Sequence, residues 1–109
     1  MKRFLLHIVL CLIPVVGLSQ TKKVIYKDTI DSSYQIGYIN KFGQKDSCWF
    51  FYGNTNNILA TANYKNGIKN GEWITYYKNG NIHIKMYYLN GILVSGKRWD
   101  ENNNLLEER

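Results

Sequence analysis

Apolar and polar residues along this chain follow two patterns. The first is continuous: Phe4 to Val16 is an apolar run broken only by His7 and Pro14, preceded by the basic stretch Met1-Lys2-Arg3. The second is alternating. In Asn81 to Leu89, Ile82, Ile84 and Met86 alternate with His83 and Lys85, the period of a strand with one buried face. Glu72 to Lys78 is dense in aromatic and β-branched residues and also reads as a strand. Asn79-Gly80 between them predicts a two-residue type I′ turn, because both residue types tolerate positive φ. Further Asn-Gly dipeptides begin at Asn66, Asn70 and Asn90. The pattern predicts tight hairpins in succession.

These hairpins repeat. Shifted by 24 residues, Gly43 falls on Gly67 and Gly67 on Gly91, Trp49 falls on Trp73, Tyr52 on Tyr76 and Tyr64 on Tyr88. After Gly91 the register slips by one, so that Trp99 lies under Tyr76. The best unit runs from Tyr64 to Gly91, with weaker units over 38–63 and 92–109. In the first unit Ser47 and Cys48 stand where the second has Gly71 and Glu72, and Thr55-Asn56 replaces Asn79-Gly80. Lys23 to Asn40 reads as a degenerate pair of strands around a turn near Asp31-Ser32. Leu105 to Arg109 reads as a short charged edge strand or frayed end. A lone hairpin is marginal in water, so neighbouring units must cover one another's aromatic faces. The expected fold is all-β, an elongated antiparallel meander. Its structural positions are Trp49, Tyr52, Tyr64, Gly67, Gly71, Trp73, Tyr76, Gly80, Tyr88, Gly91 and Trp99.

The apolar N-terminal run has about 13 residues, short of the roughly 20 that span a bilayer. With the basic residues before it and Gly17-Leu18-Ser19 after it, residues 1–19 read as a secretory signal peptide cleaved after Ser19. That leaves residues 20–109 as the single domain and predicts an exported protein, in the periplasm, at the cell surface or secreted. A retained membrane anchor is the alternative. Cys11 lacks the small residues of a lipidation site before it. Cleavage would remove it and leave Cys48 with no intramolecular disulfide partner.

Composition changes this picture little. The 109 residues carry a formal net charge of +6, and losing Lys2 and Arg3 would leave 6 − 2 = +4. The lysines are thinly spread, which suits solubility better than a nucleic-acid site. A membrane surface is a partner the charge allows besides a protein, and no nucleic-acid partner is expected. Nine Tyr, three Trp and four Phe raise the possibility of a stacking platform, but their recurrence with the repeat already assigns them to packing.

No catalytic, cofactor or metal site is expected. Cys48 and His83 fall in different hairpins, without the contact and orienting group that nucleophilic catalysis needs. One His, one Cys and scattered carboxylates make no zinc site. Asp100-Glu101 with Asn102-Asn103-Asn104 lacks the alternating ligands and closing Glu of a calcium loop, and occupies a turn of the repeat.

The run from Tyr64 to Ile82 (YKNGIKNGEWITYYKNGNI) resembles the MORN-repeat variant of bacterial proteins of the YwqK-type antitoxin family. Its pattern is Tyr-x-Asn-Gly, three residues, Gly-x-Trp, then Tyr-x-x-Asn-Gly and an aliphatic residue. The resemblance is good over this unit and fair from Tyr38 to Leu105. It implies antiparallel hairpins in a row and a non-enzymatic scaffolding or protein-binding module, acting at the envelope if exported. The family label implies a second possibility, an antitoxin or immunity protein that neutralises one specific toxin.

Overall fold

The computed structural model describes residues 21–109. Eight strands follow one another: β1 Lys22–Lys27, β2 Tyr34–Ile39, β3 Lys45–Tyr52, β4 Ile58–Lys65, β5 Ile68–Tyr76, β6 Ile82–Leu89, β7 Ile92–Trp99 and β8 Leu105–Glu108. They form one sheet in sequence order, every neighbouring pair antiparallel. The described residues contain no helix. The meander expected from the hairpin pattern is therefore the fold. The leader, residues 1–19, lies outside the described residues.

The turns alternate between two ends of the sheet. At one end, Asn66-Gly67 and Asn90-Gly91 both have positive φ at both residues, 51° and 83° in the first and 51° and 86° in the second. These are the two-residue type I′ turns that Asn-Gly favours. Asn79-Gly80, expected to be a third, is not. Gly80 alone has positive φ, its N–H donates to Tyr77 O, and the Tyr77 N–H donates to Asn81 O. That is a three-residue loop closed by a left-handed residue. The same bonds recur over Gly53–Asn57 and Asp100–Asn104, where Asn56 and Asn103 take the left-handed place. Asn is the non-glycine residue that adopts it most readily. Thr55-Asn56 therefore builds the same loop as Asn79-Gly80 despite the change in sequence.

The fourth Asn-Gly makes no turn. Gly71, at φ 107°, lies inside β5 at a bulge, where the pairing passes from Ala62↔Trp73 to Tyr64↔Lys69. Asn63 opposite the bulge donates from Nδ2 to Glu72 O at 3.1 Å. The corresponding bulge in β3 lies between Ile36↔Phe50 and Tyr38↔Asp46, and Ser47 carries its positive φ of 64°. In β7 the bulge is one residue shorter: Lys69 to Trp73 spans four steps, whereas Leu93 to Gly96, between the pairs Tyr88↔Leu93 and Met86↔Gly96, spans three. The slip in the repeat after Gly91 is this missing bulge residue.

Register aligns one row of residues across the sheet. Val24 pairs with Gly37, Trp49 with Ala62, Ala62 with Trp73, Trp73 with Met86 and Met86 with Gly96. Trp49 is wholly buried, its ring lying where a Cβ on Gly37 would be, against Cδ2 and Cε2. Large residues thus sit beside small ones: Trp49 beside Gly37 and Ala62, and Trp73 beside Ala62. In the last unit the sizes exchange, and Met86 stands beside Gly96. Ala62 on this face and Ile74 on the other are also fully buried.

Candidate functional site

Strand alternation places the row's face and the opposite face in different surroundings. Trp49, Phe51, Tyr64, Trp73 and Tyr88 share the first. Tyr26 stacks on Trp49 at 5.6 Å and Phe51 on Trp73 at 6.2 Å, while Tyr64 and Tyr88 meet Trp73 edge-on at 6.1 and 6.3 Å. Tyr52, Tyr76 and Trp99 end β3, β5 and β7 and belong to the other face. Tyr52 stacks there on Tyr34 at 4.9 Å. The aromatic positions expected from the repeat are therefore two sets, separated by the thickness of the sheet. Gly67, Gly80 and Gly91 serve the turns and Gly71 the bulge.

Two lysines complete the first set. Lys45 Nζ lies 4.7 Å from the Trp49 ring centre, 5.2 Å from that of Phe51 and 5.3 Å from that of Tyr64, and donates to Gln35 Oε1 at 2.8 Å. Lys69 Nζ lies 4.4 Å from Trp73 and 4.8 Å from Tyr88. Each ammonium sits over the negative faces of its rings. Burial lowers the pKa of Lys45 and raises that of Tyr64. Lys45 and Lys69 are 24 residues apart, so the shift that aligns the tryptophans also aligns them. Attention to aromatics and glycines alone passes over them. In the third unit Leu93 takes the lysine place and Gly96 the tryptophan place. There the lysine and indole are both missing, and an open cavity of about 230 Å³ lies among Ile84, Met86, Leu93, Gly96 and Arg98.

These cages are filled from within the chain, so the arrangement holds hairpins together and leaves no vacancy for a ligand cation. The residues considered for catalysis stay apart. Cys48 lies in β3 and His83 in β6, three strand spacings away, roughly 14 Å. His83 stacks on Tyr77 at 4.3 Å. Cys48 is 4 % exposed and disulfide-bonded, not a free thiol. The sequence left it without an intramolecular partner only once the leader is removed, and the leader lies outside the described residues. No group of three or more His, Cys, Asp or Glu among the described residues is placed to hold a metal ion. Asp100 is a loop residue: its Oδ1 accepts the N–H groups of Asn102 and Asn104, both at 2.9 Å, and its Oδ2 accepts Asn104 Nδ2 at 3.1 Å. Those bonds, chiefly from Asn104, hold its carboxyl below the usual range.

One group of exposed apolar residues lies at the end carrying the type I′ turns. Ile68 is 51 % exposed, Leu89 51 % and Ile92 70 %. Leu89 pairs with Ile92, and Ile68 Cγ2 lies 3.0 Å from where a Cβ on Gly91 would stand. Leu93 and Val94, in the shortened bulge, are also exposed.

A family model described as a MORN repeat variant matches residues 69–90, the β5–β6 hairpin from Lys69 through the bulge, Trp73 and the Gly80 loop to Tyr88 and Asn90. No curated protein and no solved structure matches the chain.

Proposed function

We propose that this protein is a non-enzymatic, exported repeat module that binds a protein partner at the cell envelope. The observation that carries this reading is the apolar cluster of Ile68, Leu89 and Ile92 at one end of the sheet. A soluble chain gains nothing by holding such residues in water, and grouped exposed apolar side chains commonly mark a contact surface. The repeat match supports a scaffold or binding module for proteins or membranes. The basic and apolar leader supports export. Between protein and membrane we favour protein, because the cluster is small: it holds three side chains, with Lys65 opposite Ile68 and Lys69 next to it.

Affinity capture from envelope extracts, with wild type and Ile92→Asp as baits, tests the reading. Partners retained by wild type and lost by Ile92→Asp are the expected result. Capture of a single stoichiometric toxin-like protein would favour the immunity role instead. Equal recovery with both baits, or recovery of the protein only in the cytosol on fractionation, would overturn the proposal.

A further inference from the structure

The two edge strands match one another in a way that neither matches itself. Strands β3, β5 and β7 carry the large-residue place of the row, at Trp49, Trp73 and, exchanged for a small residue, Gly96. Strands β2, β4 and β6 carry its neighbour, at Gly37, Ala62 and Met86. The row runs on to both edges. Val24 pairs with Gly37, which gives β1 the large-residue place, and Gly96 exchanges both backbone hydrogen bonds with Arg109 beyond β8, at 3.0 and 2.9 Å. What would follow β8 in the repeat is a strand of the β1 kind, antiparallel to β8. Eight strands make whole strand pairs, so β1 of a second copy has the direction and the side-chain phase required.

Charge selects the same pairing. β1 carries Lys22, Lys23 and Lys27 with no acid, whereas β8 carries Glu107 and Glu108, followed by Arg109, which pairs with Glu107 at 2.9 Å and leaves Glu108 free of it. Like charges discourage β1 from pairing with β1 and β8 with β8, the usual protection of a sheet edge. They do not discourage β1 from pairing with β8. If the row continues across the junction, Val24 of the second copy faces Arg109 and Ile25 faces Glu108. Lys23 and Lys27, two residues either side of Ile25, then flank Glu108 on one face. Glu108 has its side chain 57 % exposed beside Lys97, which leaves room for a further cation. Exposed Ile25 and Tyr26 on one edge, and Leu105 and Leu106 on the other, supply apolar area. Among the described residues no strand pairs with the outer side of either edge.

We infer that copies of this chain associate head to tail, β1 of one adding to β8 of the next, to give an open-ended sheet. The contact is heterologous, so it does not stop at a dimer. A four-residue edge makes a small interface, with a dissociation constant of roughly micromolar or weaker.

Sedimentation velocity on protein purified from cells expressing the full chain, up to about 1 mM, tests this. The average mass should rise with concentration beyond two chains and fall as salt screens the charges. Lys23→Glu/Lys27→Glu and Glu108→Lys should each weaken self-association by roughly tenfold or more. Mixed in equal amounts, the two variants should associate again, because each supplies the edge that fits the other. A mass of one chain throughout, association untouched by either reversal, or no recovery on mixing variants with wild-type circular dichroism would overturn the inference. The neutral variants Lys27→Gln and Glu108→Gln guard against misfolding. Each should fall between wild type and its reversal, and wild-type behaviour in both would also count against it.

Discussion

Trp49 has no exposed surface because Gly37 gives its ring somewhere to lie. The indole N–H is also used, donating to Tyr38 O at 2.9 Å. Trp49→Ala should cost roughly 3–5 kcal/mol in chemical denaturation. Gly37→Ala should cost roughly 1–3 kcal/mol, since the new methyl must displace the ring. Wild-type stability in both would remove the ring from the core. The tryptophan was legible in the sequence, since it recurs. Its partner was not, because Gly37 lies outside the best-preserved repeat and a glycine in a strand announces a close approach without saying to what. Ser47 is a different case. It holds a left-handed conformation that its repeat equivalent, Gly71, adopts without steric cost. Ser47→Gly should therefore raise stability by up to about 1 kcal/mol, measured by the same denaturation, and a loss would mean that the hydroxyl group serves the bulge.

At the scale of the hairpin, the turn dipeptides located every reversal in the best unit, but misjudged the geometry at 79–80 and, at 70–71, marked a bulge and no turn. Asn-Gly satisfies both the type I′ turn at 66–67 and the three-residue loop at 77–81, and dipeptide identity alone does not separate them. The choice is made by what flanks them, including the bulge that follows each loop. One such bulge lies between Thr75↔Ile84 and Tyr76↔Ile82 and leaves His83 out of the ladder. The alternation of Ile82, His83 and Ile84 therefore pointed to the right strand for a reason only partly right. The loop at Asp100 predicts a pH response. Its carboxyl is held low by Asn104 and Asn102, and that of Asp31 by Ser33. A depressed carboxyl contributes stability above its ordinary value of 3.8 and loses it as pH falls through the lower folded value. Amide exchange in β8 should accelerate as the pH drops below that range, beyond the intrinsic change. Asp100→Asn, which keeps an acceptor oxygen, should flatten the response, and an identical acid profile in the variant would show the loop is not its source.

Across the described residues, one sheet is held together by a row in which large residues face small ones except where Trp73 meets Met86, covered by lysines in two units and closed by Met86 and Gly96 in the third. Twenty-four-residue periodicity made the row's tryptophans visible, while the exchange at Met86 and Gly96 was hidden by the one-residue slip in β7. Leu93, just ahead of the slip and still in the 24-residue register, stands where a lysine stood twice before, close to the apolar end that we propose binds a partner. The continuity of the row underlies both the fold and the match between its edges. Nuclear Overhauser contacts across the sheet test it most directly. Ala62 should show backbone contacts to both Trp49 and Trp73, and Met86 to both Trp73 and Gly96. Ala62 in contact with only one tryptophan, or Met86 facing Lys97 in place of Gly96, would contradict the register on which this account stands.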